Sequence, residues 1–258
     1  MPLVRIGVAE NAAELEPGTE DWTALRSDLK RSQPDLLVLN ELPFGPWLAA
    51  RERFDGAAWE DSLAAHAAGL AALPELGVPA VVGTRPVDLG GHRCNQAFVW
   101  TQGGDFVFPH TKQHIPDSPG YRETTWTEPG EVRFEIVEVS GLRIGFLICT
   151  DIMFTEHARQ YGREGVDLIV VPRAMPPGAA HTFDVALRMT AIVSGCSVAS
   201  SNRGGRDSAG EPFEGRGCII DPLGNTVAQT SSHQRLVVHE ISTDFSDWKK
   251  TVYPCNVS

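Results

Sequence analysis

Long apolar runs are missing from this chain. Nothing approaches the roughly 18 consecutive apolar residues that a membrane-spanning helix needs. Cysteine is scarce and unpatterned. The five residues, Cys94, Cys149, Cys196, Cys218 and Cys255, are odd in number, widely spaced, and form neither a CxxC pair nor a His/Cys ligand spacing. Neither a disulfide framework nor a metal site is expected from them, and no cofactor is implied. Basic charge is in deficit, with 22 Lys and Arg against 33 Asp and Glu and a net charge of −11. That balance argues against nucleic acid or an anionic membrane as partner. The opening residues, Met1 to Val8, lack the apolar core of a signal peptide and read directly as a strand. A cytoplasmic, reducing location is the expectation. Linkers and low-complexity tracts are also absent, so residues 1–258 read as a single domain.

What is present is organised around residues 142–156. A short apolar run, Leu142-Arg143-Ile144-Gly145-Phe146-Leu147-Ile148, follows Gly141 and reads as a buried strand. It stops at Cys149, followed by polar Thr150 and Asp151. Residues 155–161 then read as a helix with Thr155 as N-cap. A cysteine at a strand's C-terminal end, before a turn into a helix, occupies the place where open α/β sheets put their chemistry. Taken alone, such a cysteine is more often structural than catalytic.

Around it, buried strands are expected near residues 4–9, 36–41, 78–84, 95–101, 105–108, 166–173, 196–202, 217–221, 226–229 and 236–241. Helical spacing appears at 21–31, 59–73 and 182–194, the last stopped by Gly195. Residues 109–131 form a long polar stretch, and loops of that length are usually functional. A weak repeat is visible: Arg5-Ile6-Gly7-Val8, followed by Pro34-Asp35-Leu36-Leu37-Val38, parallels Arg143-Ile144-Gly145-Phe146, followed by Val166-Asp167-Leu168-Ile169-Val170. It suggests two strand–helix–strand halves, with two sheets face to face and helices outside.

Four residues stand at strand ends or in the long loop: Glu41, Lys112, Glu123 and Cys149. Each has an ordinary reading as a surface or core residue. Together they form a working set. A thiol attacks a carbonyl or nitrile carbon only as thiolate or with a base beside it. Glu41 can take that proton and deliver it to a leaving amine. Lys112 and the backbone N–H of Thr150 can stabilise the oxyanion. Glu123 can hold Lys112 in position.

Leu39-Asn40-Glu41-Leu42-Pro43, the segment His110 to Asp117, and Gly145 to Glu156 resemble the three motifs of the nitrilase, or carbon–nitrogen hydrolase, superfamily, whose hallmark is a Glu-Lys-Cys triad. Residues 112–123, with Pro116-Asp117-Ser118-Pro119-Gly120-Tyr121, are most similar to N-carbamoylputrescine amidohydrolases and related amidases. Residues 196–203 and Asp221-Pro222-Leu223-Gly224 match family segments too. The resemblance implies an α/β four-layer αββα sandwich and catalytic Glu41, Lys112 and Cys149, with Glu123 as second active-site glutamate. It implies no metal or cofactor. It also implies a homodimer or higher homo-oligomer, paired through the helix after Cys149, with Tyr161 and its neighbours as contact candidates.

The chain departs from the pattern at Thr150, where relatives often carry Trp, and at Ile152 and Met153, where carbamoyl-amino-acid members carry arginines. Arg173 is the candidate replacement for holding a substrate acid, and Tyr121 and Trp126 are candidates to close over a short linear substrate. The expected reaction is hydrolysis of a small linear amide or N-carbamoyl compound through an acyl-enzyme, with a nitrile as the alternative. More remote readings are a metal-dependent phosphoesterase of similar sandwich fold, whose late cluster would have to come from Ser231-Ser232-His233, and a non-catalytic subunit.

Overall fold

The repeated Arg and Asp mark two copies of one supersecondary unit. In the computed structural model, which describes residues 3–11, 14–119 and 121–257, β1 (Val4–Ala9), α1 (Glu20–Ser32) and β2 (Leu36–Val38) form the first unit, and β1 and β2 pair in parallel. Further on, β9 (Leu142–Phe146), α3 (Thr155–Arg163) and β10 (Leu168–Val170) form the second, paired in the same way. Each unit is stitched at the same place. Asp35 Oδ2 accepts from the Arg5 N–H at 2.8 Å, and Asp167 Oδ2 from the Arg143 N–H at 2.9 Å. Each arginine also donates to carbonyls where the helix ends: Arg5 to Ser32 and Gln33, Arg143 to Glu164 and Gly165. These are the carbonyls that a helix C-terminus leaves without partners. The repeat in the sequence is therefore a repeated clamp. Met1, Pro2 and Gly120, read above within a strand or motif, lie outside the described residues.

The first unit continues through α2 (Gly56–Ala72) to β3 (Ala80–Leu89), β4 (His92–Thr101) and β5 (Phe106–Val107). β3 and β4 form a hairpin longer than the sequence pattern suggests, turned by Gly90 and Gly91, both at positive φ. Pro86 looks like a strand breaker. It is tolerated because β3 pairs with β2 only at Val81 and Val82, leaving the later residues bonded on one side. The long loop holds a two-residue hairpin, β6 (Asp117–Ser118) with β7 (Tyr121–Arg122), and a 3-10 turn, Glu123–Thr125.

The second half runs from β8 (Val137–Val139) through β9, α3 and β10 to α4 (Ala180–Ser194) and β11 (Ser197–Ser200). The Gly-rich stretch then forms a small hairpin, β12 (Gly204–Arg206) with β13 (Pro212–Glu214). β14 (Cys218–Ile220) and β15 (Thr226–Gln229) complete this sheet, in the order β15-β14-β11-β10-β9-β8. The last strand, β16 (Leu236–Ile241), crosses to the other sheet, where it pairs antiparallel with β1 from Val4↔Ile241 to Ala9↔Leu236. That sheet has the order β16-β1-β2-β3-β4-β5. A terminal helix, α5 (Thr243–Lys250), is unannounced by the sequence pattern.

Side-chain alternation on the strands sorts the core into layers. Ile6, Val8, Val38 and Val82 of one sheet meet Ile144, Phe146, Val170 and Ile219 of the other in one buried cluster. The opposite face of the first sheet packs on α1 and its neighbours through Trp22, Leu25 and Leu29. The opposite face of the second packs on α3 and α4 through Ala158, Tyr161, Leu187 and Ala191. The result is the expected αββα sandwich.

Two local expectations are corrected. Thr155 is the first residue of α3 and caps nothing with its side chain. The 3-10 turn Cys149–Met153 runs almost directly into the helix, and Phe154 precedes it. Tyr161 is buried, with its ring against Gly145, where a Cβ would lie 2.9 Å from the ring, and its hydroxyl bonded to Phe146 backbone. It faces the sheet and is unavailable to a partner subunit.

α3 and α4 approach most closely at Gly162, where a Cβ would stand 2.3 Å from the Ser194 carbonyl oxygen and 2.8 Å from its Cα. The obstruction is backbone, so no side chain can move aside. Gly162→Ala should therefore destabilise the fold by about 1–3 kcal/mol despite alanine's better helix propensity. An unchanged or raised urea midpoint would show that the helices can separate freely.

Candidate active site

At the end of β2 the chain continues as Leu39, Asn40 and Glu41, all fully buried. Glu41 N–H donates to the Arg173 carbonyl across the gap between the sheets at 3.2 Å. Leu42 follows at φ +47, and this left-handed turn is held from both sides. Its N–H donates to Thr84 Oγ1 at 2.8 Å, and Arg203 Nη2 donates to the carbonyls of Leu42 and Gly45 at 2.6 and 2.8 Å. Lys112 is delivered by the chain running beside β4, where its N–H donates to the Asn95 carbonyl at 2.9 Å. Its Nζ donates to Glu41 Oε1 at 2.8 Å and Glu123 Oε2 at 2.5 Å. Asn95 Nδ2 also donates to Glu41 Oε1, at 2.8 Å. Among the described residues Glu41 Oε2 has no hydrogen-bond partner.

Cys149 sits three residues beyond β9, in the first turn of the 3-10 segment, at φ +47. A left-handed, non-glycine residue at a strand-to-helix turn costs of order 1 kcal/mol and persists only where its surroundings fix it. Here its N–H donates to the Pro172 carbonyl at 3.0 Å, and the Ala174 N–H reaches its sulfur. The Thr150 N–H follows in the opening turn, where helical N–H groups lack intrahelical acceptors.

The electrostatics separate the roles. Burial, then the Glu41 charge, push the Cys149 thiol well above its ordinary range, with Lys112 pulling the other way. The resting sulfur is therefore a thiol that needs a base. Burial alone would lower Lys112, but Glu123 and Glu41 more than reverse this and hold it well above the ordinary lysine value, as an ammonium. Burial pushes Glu123 up to about 7, against the pull of Lys112. Such an arrangement can deprotonate a nucleophile, hold one ammonium N–H for a developing oxyanion, and keep that ammonium from losing its proton.

Tyr121 joins the set. Its ring lies 5.6 Å from that of Trp47, and burial, followed by the charges at Cys149 and Glu41, raises its hydroxyl's pKa far above the ordinary tyrosine value. Trp126 stands behind it, buried, with its indole N–H committed to the Arg51 carbonyl at 3.2 Å. Arg173 is a correction. Its Nε donates to Ser200 Oγ at 2.6 Å, Nη1 to Met175 Sδ at 3.1 Å and Nη2 to the Arg216 carbonyl at 3.2 Å. Its guanidinium lies 5.7 Å from the Phe183 ring of α4. It is its carbonyl that faces Glu41. Asn95, Trp47 and Phe213 escape the sequence reading; Asn95 stands in a strand that also carries His92, Arg93 and Gln96, so its amide is not set apart by the pattern. Among the described residues no group of three His, Cys, Asp or Glu side chains is arranged to hold a metal ion.

The carbon-nitrogen hydrolase family model matches residues 3–250. The chain belongs to that family. Among curated relatives, omega-amidase NIT2 of Xenopus tropicalis is 28% identical over 178 residues, 66% of this chain and 64% of the relative. The deaminated glutathione amidase of Escherichia coli O157:H7 is 26% identical over 154 residues, 59% of this chain and 57% of that one. The aligned part thus spans under two thirds of either relative. Among solved structures, a carbon-nitrogen hydrolase from Helicobacter pylori G27 superposes with a TM-score of 0.83 at 22% identity, covering 99% of this chain and 94% of the other. A cysteine mutant of the amidase from Nesterenkonia AN1 superposes at 0.77 and 20% identity, covering 96% and 94%. These likenesses show the fold of this carbon–nitrogen hydrolase.

The raised Glu123 sets a pH dependence. Between its ordinary 4.5 and about 7, the folded protein holds a proton that the unfolded chain has released. Stability contributed at this site therefore falls as pH rises through that window. Glu123→Gln removes the titration. The wild type should lose stability relative to Glu123→Gln from about pH 4.5 to about pH 7. A difference in urea midpoints that stays constant over that range would contradict the assignment.

Proposed function

We propose that this protein hydrolyses a small linear amide or N-carbamoyl compound through a covalent acyl- or carbamoyl-enzyme on Cys149. The observation that carries the reading is the Lys112 ammonium, fully buried between Glu41 and Glu123, beside a thiol whose raised pKa makes it depend on a base. Glu41 Oε2, the carboxylate oxygen without a partner, takes the Sγ proton as sulfur bonds to the carbonyl carbon. The carbonyl oxygen becomes an oxyanion held by the third Nζ–H of Lys112 and the Thr150 N–H. Glu41 then returns the proton to the departing nitrogen, the C–N bond breaks, and ammonia or an amine leaves. Water, deprotonated by Glu41, attacks the thioester carbon, and sulfur recovers its proton. Glu123 stays on Lys112 throughout.

The relatives' names, omega-amidase and deaminated glutathione amidase, support an amide over a nitrile. So does the chemistry: an amide needs an acid to protonate its leaving nitrogen, and protonated Glu41 supplies one. A glutamate-to-glutamine mutant of the Nesterenkonia amidase, of the same fold, shows Michael addition of acrylamide at its active-site cysteine. The aromatic wall of Trp47, Tyr121 and Phe213 favours a short substrate.

The enzyme acts as a homodimer or higher homo-oligomer. With Tyr161 turned inward, the contact falls on the outer side of α4, where Val185 and Met189 are 50% and 42% exposed. Among the described residues no helix is long and apolar enough to cross a membrane, and a cytoplasmic location remains part of this reading.

Cys149→Ala should abolish ammonia release from a panel of linear amides and N-carbamoyl compounds while leaving the circular dichroism spectrum unchanged. Lys112→Ala, which removes one oxyanion donor, should lower kcat by about a hundredfold or more. Turnover of nitriles without the matching amides would redirect the substrate assignment, and an active Cys149→Ala would remove the nucleophile. Sedimentation should give a species of at least twice the 28.0 kDa chain mass. A strict monomer at micromolar concentration would contradict the dimer.

A further inference from the structure

Asp151 lies two residues past the nucleophile and is fully buried. Its two oxygens take four donors. Oδ1 accepts from the backbone N–H groups of Gln113 and His114, at 3.2 and 3.0 Å. Oδ2 accepts from the Ile148 N–H at 3.0 Å and from His110 Nε2 at 2.8 Å. On the far side of the imidazole, Nδ1 lies 2.6 Å from the Arg133 carbonyl oxygen. Both ring nitrogens thus lie beside oxygen atoms.

The origin of the four donors is what matters. His110, Gln113 and His114 bracket Lys112, and Ile148 immediately precedes Cys149. One carboxylate therefore fastens the lysine segment to the entry of the nucleophile turn. Asp151 closes that turn from within as well, because its own N–H donates to the Ile148 carbonyl at 3.0 Å. This bond and the Oδ2–Ile148 bond hold Cys149 in its left-handed conformation between them. Burial alone would raise the Asp151 carboxyl, but the His110 bond and the Ile148 N–H more than offset it and keep it below the ordinary aspartate value. No bond of this hub involves Glu41 or Glu123, although the Asp151 charge is felt by Lys112 and Glu123.

We infer that Asp151, held by His110, is a positioning residue that fixes the Cys149 thiol relative to Lys112 and its partner Glu41. This rests on Cys149 being the nucleophile. A displacement of about 1 Å between reacting groups costs about a hundredfold in rate. A residue serving stability alone would instead loosen the core generally.

Iodoacetamide labelling, resolved by mass spectrometry for each cysteine, separates the two. Cys94, Cys196 and Cys218 are buried in other parts of the molecule and report on loosening, while the half-buried Cys255 reports on reagent reactivity. In Asp151→Asn, an amide N–H replaces one acceptor and faces donors. The Cys149 labelling rate should fall about ten- to a hundredfold relative to Cys255, with Cys94, Cys196 and Cys218 still protected. Asp151→Glu, which keeps the carboxylate, should recover most of that loss. His110→Gln, which keeps one donor towards Asp151, should fall between, and it decides the matter alone if Asp151→Asn does not fold. A Cys149 rate within about threefold of wild type in both Asp151→Asn and His110→Gln overturns the inference. So does a change in Cys149 matched by exposure of the three buried cysteines. Wild-type labelling in which Cys149 is not selectively modified would defeat the nucleophile assignment itself, a distinct result.

Discussion

A lysine ammonium cut off from water is the constraint on which this site depends. Lys112 is fully buried, and two carboxylates take the place of its hydration shell. Removing one partner of such a buried ion pair typically costs 3–5 kcal/mol, because the charge left behind has no compensation. Glu41 and Glu123 must therefore arrive together, one from the end of β2 and the other from the long loop. The same cluster dictates the chemistry. Burial, then the Glu41 charge, holds the Cys149 thiol protonated, so the reaction proposed for it needs a base. The site is thus at rest in a neutral-thiol form, unlike cysteine enzymes that store a thiolate beside an imidazolium.

Much of this was legible in the sequence, for a physical reason. Glu41, Lys112, Glu123 and Cys149 each lie in a contiguous motif at a strand end or in one loop, so local pattern suffices to mark them. The αββα order followed from buried strands alternating with helical spacing, and the two Arg…Asp pairs marked the halves. What sequence pattern could not supply is orientation. Arg173 occupies a strand end, as Glu41 does, yet its guanidinium is taken up by Ser200, Met175 and the Arg216 carbonyl beside α4. Tyr161 sits on an amphipathic helix, but Gly145 opens a hollow in the sheet and the ring turns into it. Asn95, Trp47 and Phe213 reach the site only through tertiary contact, from a strand interior, an early loop and a late hairpin.

The two halves meet at equivalent positions. Asp35 and Asp167 begin corresponding strands, and six residues on from each stand Glu41 and Arg173, whose backbones bond to one another at 3.2 Å. The site lies where the two repeated units face each other, and each unit contributes differently: one a carboxylate side chain, the other a carbonyl. Similar backbone geometry has been filled with dissimilar side chains, a carboxylate on one side of the junction and a guanidinium on the other.

The exchange of β16 into the first sheet has a consequence for the order of synthesis. β1 is made shortly before its partner β2, but its other edge pairs with residues 236–241. Until residues 236–241 are made, the nascent chain carries a β1 whose outer N–H and C=O groups lack their partner strand. Exposed edges of this kind are where growing chains aggregate or recruit chaperones. Of the two six-stranded sheets, the one that begins first is therefore completed last, and closing it joins two strands far apart in sequence into one ladder.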